Sequence, residues 1–137
     1  MATTTIKTTN GELVDLMNGL FSVQDLKGKG FAFKVSSNMS KLQKALEPVE
    51  LAGKPSEEFV KLAQDMQKLQ QMKDSEGVKK LEDSNPELVK ARQVQMDAVQ
   101  EMLKEEAEEI ELEVFTKDSL PNDISGRQIT NLEKIII

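Results

Sequence analysis

The chain has 137 residues, of which 38% are hydrophobic and 31% charged, and its formal net charge is −6. It contains no histidine, cysteine, tryptophan or tyrosine, so it lacks disulfides and most of the side chains that act as nucleophiles, redox centres or general bases near neutral pH. We therefore expect a protein that is not an enzyme, with no catalytic residues, no metal ligands and no cofactor.

The first third of the chain predicts a helix, a strand and a second helix. After a threonine-rich start, where residues 3–8 could form an extra strand, Asn10 is placed to cap a helix with apolar residues at spacings of three and four. A turn at Lys27–Gly30 follows. Apolar residues alternate over Phe31–Val35, which predicts a strand, and the next helix is expected to end at Pro48.

Two longer helices are predicted in the middle of the chain. Ser56 can cap a helix that runs to about Met72, and Asn85 can cap another that begins at Pro86. Residues 73–85 connect these helices. Two long antiparallel helices joined by this connection would make a helical hairpin.

Beyond Ala107 the spacing of apolar residues changes from helical to a period of two. Ile110, Leu112 and Val114 alternate with glutamates, which predicts a second strand, and a turn at 120–123 precedes a short closing helix. The expected fold is a helix-rich α+β single domain over residues 1–137, with the hairpin packed on a two- or three-stranded sheet.

An acidic tract occupies the segment before and within the second strand. Its members are Glu105, Glu106, Glu108, Glu109, Glu111 and Glu113. The tract has three interpretations: a solvated face, a site for hard cations, or an imitation of nucleic-acid phosphates that occupies a basic groove in a partner. The spacing of acidic residues that a calcium-binding loop requires is absent. Paired carboxylates could also catalyse glycoside hydrolysis, but the chain has no tryptophan or tyrosine on which a sugar ring could stack. A solvated face is therefore expected. The candidate partner-binding glutamates are Glu105, Glu109, Glu111 and Glu113.

Residues 133–137 are predicted to be an apolar carboxyl-terminal tail. It ends in three consecutive isoleucines, Ile135, Ile136 and Ile137, whose burial could contribute a few kcal/mol at ~25 cal/mol/Å². The tail either docks into its own domain or inserts into a neighbouring chain, so all three isoleucines are candidate partner-binding residues.

Two further patterns have a structural interpretation. Lys27–Gly30 lacks the spacing of a phosphate-binding loop. Six methionines lie at helical spacing beside other apolar residues, which favours helix packing over an adaptable binding groove: Met17, Met39, Met66, Met72, Met96 and Met102.

Several short motifs near both ends of the chain are similar to motifs found in other proteins. They are Asn10–Leu13 with Leu16 and Leu20, the stretch Phe31–Val35, the helix with Asn38, Lys41 and Leu42, and the ending from Leu120 and Pro121 to Leu132. In these motifs the chain resembles a family of small tailed-phage proteins of uncharacterised function. The resemblance implies a viral origin and brings no catalytic residue with it.

We therefore expect a non-catalytic, phage-type interaction protein, specifically a virion structural or assembly accessory component. Two alternatives stay open: an acidic inhibitor of a host nuclease, polymerase or defence protein, and a module that sequesters a nucleotide or small molecule. The expected partner is a virion or host protein, with a homo-oligomer as an open question. No direct nucleic-acid binding and no membrane association are expected, because there are two arginines and no long apolar run. The expected location is the host cytoplasm, with incorporation into the virion open.

Overall fold

The computed structural model describes residues 2–137. Its regular elements within that range are six α-helices and two β-strands: β1 (Thr3–Ile6), α1 (Asn10–Val23), α2 (Lys29–Gly53), α3 (Glu57–Gln71), α4 (Ser75–Ser84), α5 (Pro86–Lys104), β2 (Ile110–Glu113) and α6 (Gly126–Asn131). This confirms the helix-rich α+β class. Short 3-10 turns at Lys117–Ser119 and Glu133–Ile135 complete the carboxyl-terminal part.

Strands β1 and β2 pair antiparallel, with Thr3 opposite Glu113 and Ile6 opposite Ile110. The predicted second strand and the predicted extra strand near the amino terminus are therefore both present. Within the described residues the sheet has two strands, and such a sheet is marginal alone. Its apolar side chains join the helical core, where Leu112 is completely buried.

The predicted strand at Phe31–Val35 is wrong, because these residues form the start of α2. Phe31 and Val35 are buried, whereas Phe33 is 64% exposed. Residues four apart share a helix face, so Phe31 and Val35 begin a buried stripe that continues at Leu42 and beyond. An alternation over only five residues is compatible with the two-residue period of a strand and with the 3.6-residue period of a helix. The apolar spacing along the rest of α2 follows the helical period, and this longer pattern decides the structure.

The helix boundaries at Asn10 and Pro48 also differ from expectation. The cap of α1 is Thr9, whose hydroxyl accepts the N–H of Glu12 at 3.2 Å. Asn10 instead donates its side-chain amide to the Met102 carbonyl at 2.9 Å. Helix α2 continues through the exposed Pro48 to Gly53, although a proline inside a helix removes one backbone hydrogen bond.

The unpaired edge of β2 is covered by side chains from α2. Asn38 is completely buried, its amide donates to the Glu113 carbonyl at 2.9 Å, and its carbonyl oxygen accepts the Glu113 N–H at 2.8 Å. Lys34 donates to the Val114 carbonyl at 3.1 Å. The Asn38 amide thus takes the place that the backbone of a third strand would occupy.

The chain divides into two compact units. The first contains the residues up to Val49 together with Met102–Ile137, and the second is Glu50–Glu101. In the first, one large core includes Leu20, Phe31 and Phe115, with the two rings 4.9 Å apart between centroids. The prediction of a single domain over residues 1–137 stays a prediction.

The second unit has a thin apolar core. Its residues are all described by the structure, and its buried apolar side chains are Leu62 and Val99. Polar contacts hold the end of α2 within this unit: Arg92 donates to the Gly53 carbonyl at 2.8 Å and Gln95 to the Ala52 carbonyl at 2.8 Å. The predicted cap Ser56 accepts the Phe59 N–H at 3.1 Å, as expected.

The predicted connection at 73–85 contains a helix of its own, α4. Helix α3 ends in a left-handed turn at Lys73, where φ is 57°. The Asp74 N–H donates to the Leu69 carbonyl at 2.9 Å and the Lys73 N–H to the Gln70 carbonyl at 3.0 Å. This is the Schellman pattern, which reverses the chain so that α4 packs on α3.

Candidate interaction surfaces

The acidic tract is placed on the surface of the first unit, with one exception. Glu105, Glu106, Glu108, Glu109 and Glu111 are exposed. Glu113 is 8% exposed, and its backbone is bound to Asn38. The expectation that the acidic tract is a solvated face therefore fails at Glu113.

The glutamates before β2 line a groove of about 520 Å³ together with residues of α2. Lys41 and Lys44 line the same groove, as do the apolar residues Val49, Met102 and Ile110. Two lysines reduce the negative potential that the glutamates would otherwise create. The groove is therefore of mixed charge, unlike a continuous row of phosphates.

The acidic tract, as the structure describes it, does not form a binding site for a hard cation. A metal cage needs several oxygen ligands that converge on one point. No group of three or more acidic side chains in residues 2–137 is arranged to hold a metal ion. Glu111 is instead engaged at the sheet, where its carboxylate accepts the Thr3 hydroxyl at 2.7 Å.

The isoleucine tail docks into its own unit, which was one of the two expected arrangements. Ile135 is completely buried in the core. The Phe115 N–H donates to the Ile135 carbonyl at 2.8 Å, and the Ile137 N–H donates to the Phe115 carbonyl at 2.9 Å. Ile136 is half-buried and Ile137 is 62% exposed, so only the last side chain offers much apolar surface to a partner.

A second groove, which sequence reasoning missed, lies between α1 and α2. It has a volume of about 300 Å³, and its eight lining residues are all uncharged: Met17, Gln24, Ala32, Val35, Ser36, Met39, Ser40 and Gln43. The false strand at Phe31–Val35 concealed it. The available signal was the helical spacing of Ala32, Met39 and Gln43, which lie on one face of α2.

Helical spacing places two exposed phenylalanines near this groove. Phe21 is 61% exposed and follows the groove residue Met17 by four positions, and Phe33 is 64% exposed and precedes Ser36 by three. Residues three and four apart share a helix face. We call the eight lining residues together with Phe21 and Phe33 the α1–α2 face.

The methionines and the glycine turn behave largely as expected. Five of the six methionines are partly buried on helices, and Met72 is 73% exposed. Gly28 has φ of 129°, a conformation that favours glycine, and its carbonyl accepts the Ala32 N–H at 2.8 Å. Lys27 and Gly28 therefore lie in the turn that leads into α2, whereas Lys29 and Gly30 are the first two residues of the helix.

Comparison with known proteins gave no match among protein-family models, curated proteins or solved structures. Across residues 2–137, no helix combines the length and the apolar character that crossing a bilayer requires.

Proposed function

We propose that this chain is a non-catalytic interaction protein, an accessory component of a tailed-phage particle or of its assembly. The phage setting rests on the sequence resemblance. The interaction role rests on one observation, the thin core of the helical unit Glu50–Glu101.

This unit leaves much of its apolar surface without a partner inside the chain. Leu51, Met72 and Val94 are each more than 60% exposed, while Leu62 and Val99 are buried. Units of about 50 residues are near the lower size at which one core suffices, and many gain stability from association. Covering such side chains releases ordered water and is favourable.

The proposal is tested in the phage that encodes the chain. Mass spectrometry of purified particles should find the protein in stoichiometric amount, or its deletion should reduce the yield of complete particles. Absence from particles combined with normal assembly in the deletion strain would refute this function.

A pair of variants tests whether the helical unit makes the contact. Val94→Glu places a charge where an apolar side chain is exposed, so it should lower incorporation or particle yield. Gln100→Glu adds the same charge at another exposed position of α5 and should leave both unchanged. Equal incorporation of the two variants would remove Val94 from the contact.

The second candidate function is inhibition of a host nuclease, polymerase or defence protein. It is favoured by the five exposed glutamates between Glu105 and Glu111. Pull-down from host extract should then recover a basic protein, and Glu109→Lys with Glu111→Lys should abolish the capture. Capture that is indifferent to this charge reversal would eliminate the candidate.

A further inference from the structure

We infer that β2 and the segment before it bind an extended, positively charged peptide of another protein, which adds a third strand to the sheet. The site is the groove of about 520 Å³ that this segment and α2 line together. The inference goes beyond the proposed function, because it assigns a peptide site to the first unit. It does not depend on what the helical unit Glu50–Glu101 contacts.

One backbone edge of β2 is left free by β1. The Val114 N–H donates to the Ala2 carbonyl at 3.2 Å, and hydrogen-bonded and non-hydrogen-bonded positions alternate along an antiparallel pair. Glu113 and Glu111 therefore occupy non-hydrogen-bonded positions, so their N–H and C=O groups point away from β1. The two hydrogen bonds between Glu113 and Asn38 agree with this direction.

The free edge stays open on the amino-terminal side of Glu113. Glu111 is exposed. Before the strand, no hydrogen bond within residues 2–137 engages the backbone of Glu106, Glu108 or Glu109. An exposed strand edge with unpaired N–H and C=O groups is a template for another strand. These groups are matched by the backbone of an extended peptide, which pairs with such an edge through main-chain hydrogen bonds.

The charges of the groove favour a basic peptide. Negative charge predominates in its lining, where two lysines, Lys41 and Lys44, stand against four glutamates: Glu105, Glu106, Glu108 and Glu109. Opposite charges on paired strands attract each other, whereas like charges directly opposite each other are destabilising. Lysine or arginine side chains of an added strand are therefore favoured, and an acidic peptide or a nucleic acid is repelled.

The same rule disfavours a second copy of the chain at this edge. A two-fold pairing brings the same segment of both copies together. Here that segment is the acidic tract, so glutamates would oppose glutamates. No group of acidic side chains in residues 2–137 is arranged to hold a metal ion that could neutralise them. The occupant is therefore a segment of a different protein.

The rest of the groove suits the inner face of such a strand. Val49, Met102 and Ile110 give the lining an apolar part. Pro48 also lines the groove, and because proline has no N–H, the Lys44 carbonyl lacks its usual helical donor there. Side chains of a strand alternate between two faces. A peptide of alternating basic and apolar residues therefore matches both the glutamates and the apolar lining.

The first test measures binding of a fluorescently labelled peptide of alternating lysine and valine to the full chain, by fluorescence anisotropy at physiological ionic strength. Saturable binding is expected. The same peptide with every backbone nitrogen methylated keeps its charges but loses its backbone donors, so it should bind at least about tenfold more weakly. A peptide of alternating glutamate and valine should not bind.

A pair of charge-reversal variants tests the acidic part of the groove. Glu108→Lys with Glu109→Lys should weaken binding of the lysine–valine peptide at least about tenfold. Glu82→Lys with Asp83→Lys makes the same change in charge at exposed positions of α4 and should leave binding unchanged.

A second pair of variants tests whether the peptide enters the groove. Ala45 lines the groove and is exposed, so Ala45→Trp should fill the space and abolish binding. Ala91→Trp, at an exposed position of α5, should bind the peptide like the unaltered chain. Circular dichroism of each variant verifies that its helices are intact.

Amide hydrogen exchange resolved by residue with NMR reports strand addition directly. The Glu111 N–H should exchange at least about tenfold more slowly in the peptide complex, because it gains a hydrogen-bond partner. The Glu113 N–H already donates to Asn38, so its exchange should change much less.

Four results would overturn the inference. They are no saturable binding at millimolar peptide, equal binding of the methylated peptide, unchanged exchange at Glu111 in the complex, and self-association of the chain that Ala45→Trp abolishes. If no peptide binds but the protein is present in particles, the proposed function stands and the peptide site fails. If the peptide binds but the protein is absent from particles and dispensable for assembly, the reverse holds.

Discussion

Asn38 shows how one polar side chain can complete a sheet. It interrupts the apolar stripe of α2 at a position that is completely buried, where an unpaired amide would be costly. Both of its polar atoms are bonded to the backbone of Glu113. The residue therefore links the longest helix to the free edge of a sheet that would otherwise leave two backbone groups unpaired.

We expect Asn38→Leu to lower the free energy of unfolding by about 2–4 kcal/mol. Leucine fills a similar volume, but it leaves the buried N–H and C=O of Glu113 without partners, at about 1–3 kcal/mol each. Urea unfolding followed by circular dichroism measures the change. Asn18→Leu, at an exposed position of α1, should change stability by less than about 0.5 kcal/mol. Equal effects would remove the special role of Asn38.

The isoleucines of the tail should contribute unequally to stability. Ile135→Ala removes a completely buried side chain and should cost about 2–5 kcal/mol. Ile137→Ala changes a side chain that is 62% exposed and should cost less than about 0.5 kcal/mol. Thermal unfolding of the two variants side by side checks this. A similar cost for both would contradict the docked position of the tail.

At the scale of elements, the sequence predicts best where a pattern is long or carries its own start signal. The helix start at Ser56 and the strand β2 are predicted correctly because each has a local signal in the sequence. Ser56 is a capping residue, and in β2 apolar residues alternate with glutamates at a period of two. Phe31–Val35 was misread because five residues fit two periods. The α1–α2 face was missed as a consequence, since a groove between two helices depends on which residues are helical.

The turn between α3 and α4 provides an element-scale prediction. Lys73 adopts a left-handed conformation with φ of 57°, which is unfavourable for a residue with a Cβ atom. Lys73→Gly should therefore stabilise the chain by about 0.5–1 kcal/mol. Lys79→Gly, within α4, should destabilise it by up to about 1 kcal/mol. Chemical denaturation compares them, and a destabilising Lys73→Gly would be contrary to the assigned turn.

At the scale of the whole molecule, the two units differ in how they are stabilised. The first has a continuous core of completely buried side chains, including Leu13, Leu20 and Leu132. The second relies on two buried apolar residues and on polar contacts such as Arg92 with Gly53. Composition and periodicity predict helices in both units, although the start of α2 in the first and α4 in the second differ from the prediction. They do not predict this difference, because it arises from contacts between helices distant in sequence.

We expect the unit Glu50–Glu101 to open before the rest of the chain. Leu62→Ala should speed amide hydrogen exchange throughout α3, α4 and α5, because it removes one of the two buried apolar side chains of that unit. Exchange in α1 and β2 should stay unchanged. Exchange measured by mass spectrometry resolves the units, and acceleration everywhere would indicate one cooperative domain over residues 1–137.

The pairing of β1 with β2 also has a consequence for the order of events during synthesis. Thr3 is opposite Glu113, so the partners are separated by about 110 residues, and contacts this distant in sequence form late. At about 5–20 residues per second, a ribosome makes β2 roughly 5–20 s after β1. During that interval helices can form from local contacts alone, whereas the first strand must wait, unpaired, for the last quarter of the chain to leave the ribosome.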